Sequence, residues 1–401
     1  MRVYYLARNL VERGCKVSII SSSFFHKYFS APSVSGLRRH DVIDGIDYVW
    51  VRTPSYRGRG LGQIINQLAY TIGATLADKD LGAPDVVIAS SPHPFASLPA
   101  YRLAKRSGAG FIYEVRDLWP LILQQLSGLS HRNPYIRMLK WAEAFSVARA
   151  DRIVSVKPGD WEYFAEEYGV HPSRVLHIPN GFDIGHIVEE PFSLRNDLQI
   201  DEGEFVVGYA GAVSAYYGMR DVVDAAIHLR DLDSTARIVI VGGGSDLSNL
   251  KSKAHELQLD NVHFVGQMPK KYMLSIVREF DVGLVSLRNV PANRYGVSTN
   301  KLYEYMYAGL PVLAYYETEY DPVQEVECGV TVKPSDPHAL AEAIVRLERL
   351  SKGELSRMGS NARKAVEQRY SYDVISSAYL GCILELSGVG NQEAFAVPAT
   401  A

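Results

Sequence analysis

Short apolar runs, each closed by glycine or a polar turn and followed by a stretch of helical periodicity, recur along almost the whole chain. This alternation limits the fold more than any other feature, because strands apolar on both faces belong in parallel sheets joined by crossover helices. Residues 16–21, 85–89, 110–115, 152–156 and 175–178 read as one series of strands. Residues 204–209, 237–241, 262–265, 282–285, 312–314 and 329–332 read as a second. Val3, Leu6, Ala7, Leu10 and Val11 form the apolar stripe of an opening helix over residues 2–13, stopped by Gly14. The fold class expected is α/β, with two doubly wound parallel-sheet domains. The first spans residues 1–184, and a polar linker follows at 185–203. The second domain is expected at 204–370, a last helix at 371–386 and a flexible tail at 387–401.

Composition agrees with two soluble domains: of 401 residues, 47% are hydrophobic and 22% charged. The formal charge of -3 is uneven, with 22 Lys and Arg against 16 Asp and Glu in residues 1–184, and 20 against 29 in the remainder. The basic pairs Arg38-Arg39, Arg57-Gly58-Arg59 and Lys105-Arg106 suit an anionic lipid surface, or are scattered surface charge. No nucleic-acid partner is expected. Cys15, Cys328 and Cys382 are far apart and lack CxxC spacing, so neither a disulfide framework nor a zinc site is indicated, and a reducing cytoplasm fits. No apolar run is long enough to span a bilayer, so any membrane association is expected to be peripheral.

The densest chemistry lies in Asn300-Lys301-Leu302-Tyr303-Glu304-Tyr305-Met306-Tyr307-Ala308-Gly309, a short helix stopped by glycine. Ser298 and Thr299 are placed to cap it, Lys301 falls in its first turn, and Glu304 follows on the same face as Asn300 and Lys301. A helix N-terminus favours anions through its free N–H groups and dipole, so an added lysine suits a diphosphate, and Glu304 can accept from sugar hydroxyls. Taken alone, the segment reads equally well as an amphipathic helix with a surface ion pair.

Its surroundings carry a resemblance. Glu114-Val115-Arg116-Asp117-Leu118-Trp119-Pro120, Ile178-Pro179-Asn180-Gly181-Phe182-Asp183, Val207-Gly208-Tyr209-Ala210-Gly211 and Ile238-Val239-Ile240-Val241-Gly242-Gly243-Gly244 occur in the order and spacing of retaining GT-B glycosyltransferases of family 4. The chain resembles above all the branch that builds O-antigen and capsular polysaccharides and includes fucosaminyltransferases. The resemblance implies two Rossmann-like domains facing each other across a cleft, with a nucleotide sugar, UDP-linked by preference, held mainly by the second. It implies a lipid-linked or oligosaccharide acceptor and no metal or other cofactor.

Carried onto this sequence, the resemblance makes Glu304, Lys301, Asn300, Thr299, Ser298, Gly211, Gly243 and Gly266 the donor-binding residues. Asp117, Arg116 and His93 become the catalytic candidates. Each has a plainer reading: glycine turns for the first loops, an internal ion pair for Arg116 and Asp117, and an exposed loop histidine for His93. Relatives carry a second glutamate eight residues before the ribose-binding one, where this chain has Gly296. They also place two basic residues near Ala212 and Tyr217. Two other readings use the same fold: a sugar-nucleotide epimerase and a non-catalytic sugar-nucleotide-binding partner. The fold also calls for a strand and glycine-rich loop ahead of the opening helix. The expectation is that roughly 15 to 25 residues are missing there, leaving an open slot in the first sheet and a poorly active enzyme.

Overall fold

The computed structural model describes residues 2–24, 32–56, 60–77, 79, 81–91 and 93–388. Arg57, Gly58 and Arg59, and the tail beyond residue 388, lie outside the described residues. The chain divides into two compact units, Met1–Pro179 with Tyr372–Ala401, and Asn180–Ser371.

In the first unit the strands are β1 (Ser18–Ser22), β2 (Arg38–Ile43), β3 (Ile46–Val51), β4 (Val86–Ser90), β5 (Gly110–Val115), β6 (Arg152–Ser155) and β7 (Val175–His177). They form two sheets rather than one. A parallel sheet runs β4-β5-β6-β7, and a separate one runs β1-β3-β2, in which β2 and β3 are an antiparallel hairpin. Asp44 and Gly45 make its turn with φ of 50° and 76°, the left-handed pair that suits the twist of a two-residue hairpin. β1 and β4 are each an edge strand among the described residues.

The core of this unit joins the two ends of the chain. Leu6 and Leu10 of the helix Arg2–Glu12 pack with Ile112, Val154, Ile178 and with Ile375, Tyr379 and Cys382 of the helix Tyr372–Ser387. Inside this contact Arg2 donates to Glu114 at 2.8 Å and to the Ile178 carbonyl at 2.9 Å, while Ser90 and Tyr379 donate to the same carboxylate. A charge buried this deeply is tolerated only with such a full set of partners.

The second unit contains β8 (Val206–Ala210), β9 (Arg237–Val241), β10 (Val262–Gly266), β11 (Val282–Ser286), β12 (Val312–Tyr315) and β13 (Gly329–Val332), all parallel. Their order is β10-β9-β8-β11-β12-β13, so the direction of winding reverses between β8 and β11. Alternate residues feed two cores, one on each face. Val207, Tyr209, Ile238 and Ile240 meet the helix Met219–Asp231, while Val206, Val239 and Val241 meet the helices Lys270–Arg278 and Asn300–Tyr307. Residues 185–203, expected as a linker, belong to this unit: Leu194 is fully buried and Ile200 nearly so in the second of these cores.

Candidate functional site

In an open parallel sheet the strand carboxyl ends beside the winding reversal leave a crevice that helices do not fill. In the second unit that place lies beyond Ala210 and Ser286, and the helix Asn300–Tyr307 is fixed over it by a tyrosine. The Tyr305 ring takes the space a side chain at Gly283 would fill, and its hydroxyl accepts the Ala210 N–H at 2.7 Å. Lys301 and Glu304 are thereby held near the β8 end.

Lys301 is 6% exposed, and its Nζ donates to the Tyr209 hydroxyl at 2.6 Å. The same Nζ lies 3.9 Å from the ring centroids of both Tyr209 and Tyr217. Burial pushes its pKa well below the usual lysine value, and Glu304 pulls the other way. The aromatic faces also favour the cation, by about 2 kcal/mol where water is excluded. Tyr217 therefore serves, with Tyr209, as a wall for the lysine. Glu304 is half-buried; burial raises its pKa, while Lys270 and then Lys301 lower it. Lys270, in the first turn of its own helix, is a site residue that the sequence reading missed.

The glycine turns converge on the same spot. Gly211 N–H donates to Val241 O at 2.9 Å, Gly242 N–H to Gly266 O at 2.7 Å, and Val213 N–H to Gly243 O at 3.0 Å, tying the ends of β8, β9 and β10 together. Gly211 has φ of 153°, and a Cβ there would stand 3.0 Å from Lys301 Cε. Gly243 faces Gln267, whose Cβ would stand 3.7 Å from a Cβ at this position, an ordinary contact.

The helix start differs from expectation in one respect. Thr299 is the N-cap but makes no capping bond, and its buried hydroxyl has no hydrogen-bond partner within the protein. Ser298 does not cap either. It accepts the Asn180 N–H at 3.0 Å and shares a hydrogen with Tyr303 at 3.0 Å, while Asn180 Nδ2 donates to Ser298 O at 2.7 Å. The Leu302 N–H donates to Thr299 O at 3.1 Å, which leaves the Asn300 and Lys301 amides and the Thr299 hydroxyl for a ligand. Asn300 is exposed at the same terminus. Gly296 has φ of 121°, a conformation a glutamate would hold only with strain.

The first unit has its own cluster at the carboxyl ends of β4, β5 and β6. Ser91 Oγ accepts the Arg116 N–H at 2.8 Å, which links the β4 and β5 ends. No ion pair joins Arg116 to Asp117 among the described residues. Burial raises the Asp117 pKa, opposed by Lys157 and then Arg116. Lys157 is 5% exposed and its Nζ has no hydrogen-bond partner. Asp160 is fully buried; Ser155 donates to one carboxylate oxygen and the other is unpartnered. Burial pushes Asp160 up to about 7, against the pull of Lys157.

Sequence reasoning found Arg116 and Asp117 but not Lys157 or Asp160. The available signal was Lys-Pro-Gly-Asp set directly after an apolar strand. His93 is not the exposed loop residue of the plainer reading. Its ring lies 4.7 Å from that of Tyr70 and edge-on to Phe95, and neither nitrogen has a partner in hydrogen-bonding geometry. Burial lowers its pKa to about 4, so the ring is neutral at physiological pH, although the nearby Gln67 backbone favours the protonated form.

Known proteins resemble this arrangement. Residues 192–365 match the family Glycosyl transferases group 1, and residues 1–186 match Glycosyltransferase Family 4. The Escherichia coli protein WcaI, named as a glycosyl transferase of colanic acid biosynthesis, is 24% identical over 350 residues, 84% of each chain. Sucrose-phosphate synthase from Thermosynechococcus elongatus superposes with a TM-score of 0.71 at 17% identity, covering 97% of this chain and 93% of its own. The Anabaena protein HepE, solved in complex with UDP, superposes with a TM-score of 0.64 at 18% identity, covering 84% and 86%.

Proposed function

The chain belongs to the group 1 glycosyltransferases, with the GT-B fold, and we propose that it transfers a sugar, with retention, from a UDP-sugar to a lipid-linked or growing polysaccharide acceptor. The observation that carries this reading is the half-vacant helix start at the winding reversal of the second unit. The free Asn300 and Lys301 amides, the unpartnered Thr299 hydroxyl, Lys301 in its tyrosine walls and Glu304 one turn on converge there.

Transfer breaks the bond between C1 of the sugar and the diphosphate oxygen, and the electron pair leaves on the phosphate. The acceptor oxygen bonds to C1 and its proton departs. The energetic needs are charge neutralisation on the leaving diphosphate and stabilisation of an oxocarbenium-like sugar. Lys301 and the helix N-terminus meet the first without a metal, as Glu304 holds ribose hydroxyls. Asp117 in the first unit handles the acceptor hydroxyl or the positive sugar, with Arg116 near phosphate. Neutral His93 hydrogen-bonds without bringing a charge to the sugar. The HepE complexes with UDP and with UDP-glucose, and the similarity to WcaI, support a UDP-sugar donor and a role in cell-surface polysaccharide of the O-antigen or capsule type, with a hexosyl or N-acetylhexosaminyl group moved. The enzyme would work in the cytoplasm, at the inner face of the membrane.

The test is nucleotide release from a panel of UDP-, GDP- and TDP-sugars, with and without lipid-linked acceptors. Release of UDP from one donor, accelerated by acceptor, is expected. Conversion of the donor to an isomer without nucleotide release would make the protein an epimerase, and binding without turnover across the panel would leave it a non-catalytic partner.

A further inference from the structure

The helix Leu61–Ala77 contains no charged residue in 17 positions. One face is fixed to the first unit: Asn66, Gln67, Ala74 and Ala77 are buried, Asn66 donates to Pro54 O at 2.8 Å, and Tyr70 donates to Ile20 O at 3.0 Å. Gly73 allows the helix to lie directly against Val51. The opposite face is solvent. Leu61, Ile65, Leu68, Ile72 and Leu76, spaced by four, three, four and four, are between 46% and 79% exposed. Apart from Gly62 they are the exposed positions of the helix. An ordinary surface helix places its charges on such a face, and contiguous exposed aliphatics mark an interaction site.

We propose that this stripe is a membrane-docking surface which inserts into the headgroup and acyl boundary of an anionic leaflet, with the helix lying in the plane of the interface. No helix among the described residues is long and apolar enough to cross a bilayer, and an amphipathic helix in the interface plane does not need to be. Charge decides between a bilayer and a second copy of the chain. Arg38, exposed on the neighbouring hairpin, donates to Leu76 O at 3.1 Å and so adjoins one end of the stripe. The adjacent helix Ser97–Ser107 adds exposed Arg102, Lys105 and Arg106. Two such basic rims brought face to face would repel, whereas anionic headgroups would complement them. The purpose of the surface rests on the lipid-linked acceptor of the proposed function, but its test does not depend on activity.

The experiment is co-sedimentation of the full chain with vesicles of phosphatidylcholine, alone or mixed with phosphatidylglycerol, at low and high salt. Wild type should bind the mixed vesicles and keep part of that binding at high salt, since the aliphatic contribution is not screened. The exposed triple variant Ile65→Gln, Leu68→Gln, Ile72→Gln should lose at least about tenfold in partitioning. In a chain carrying Leu68→Trp, the emission should shift to the blue on vesicle addition. A triple variant that sediments like wild type would overturn the proposal. So would a wild type that ignores vesicles but forms a dimer by light scattering, with the dimer lost in the triple variant.

Discussion

The carboxyl edges of the two parallel sheets gather charge in opposite ways. In the second unit the cation is held: Lys301 lies between two tyrosine rings and bonds one hydroxyl, and its helix is fixed by Tyr305. In the first unit Asp117, Lys157 and Asp160 are enclosed together, and two of the three have polar atoms without a partner. A cation held in this way is pre-organised for a fixed ligand and costs little to keep ready. An under-partnered cluster keeps protons near neutrality and suits a step in which charge changes. On the function proposed above, the second edge would recognise the donor and the first would carry the chemistry.

The sharpest way to break that division is Asp117→Asn. Turnover should fall about a hundredfold or more while UDP affinity stays within about threefold, because the side chain acts on the transition state rather than the nucleotide. Equal losses in steady-state turnover and in calorimetric affinity would erase the distinction. Next in size is Lys157→Met. Removing the cation that favours ionised Asp117 and Asp160 should raise both pKa values, moving the acidic limb of the pH–activity profile up by about one unit. Lys157→Arg should restore the limb, whereas a purely structural lysine would leave the limb in place in both variants.

A smaller effect separates the units by stability. Asp160 and Glu143 are both raised to about 7, chiefly by burial, so the native state prefers them protonated. Their contribution is complete below the unfolded carboxylate range and is lost as pH rises through about 7. The thermal transition of the first unit should therefore fall by several degrees between about pH 5 and about pH 8. Glu143→Gln should flatten that slope, and an unchanged slope in this variant would remove Glu143 from the account.

The strand alternation was legible because both sheets are buried on two faces, and the glycines at the β8, β9 and β10 ends were legible because backbone must approach backbone there. The hairpin β2–β3 went unread even though Asp44-Gly45 between apolar alternations signals it. Residues 185–203 looked like a linker because their polar composition hides two anchors, Leu194 and Ile200. The tyrosine walls of Lys301 come from β8 and the loop after it, and only the sheet order brings those near residue 301. Lys157 and Asp160 were missed although Lys-Pro-Gly-Asp follows an apolar strand, because only the pairing of β5 with β6 brings them to Asp117.

The most direct test of this division of labour is a calorimetric titration of UDP into the intact protein and into folded Glu304→Ala and Asp117→Asn variants. Loss of a charged hydrogen-bond partner is worth roughly 1.5 to 3 kcal/mol, so Glu304→Ala should weaken UDP about ten- to hundredfold, with Asp117→Asn close to wild type. UDP bound as tightly by Glu304→Ala as by wild type, or weakened as much by Asp117→Asn, would contradict the account.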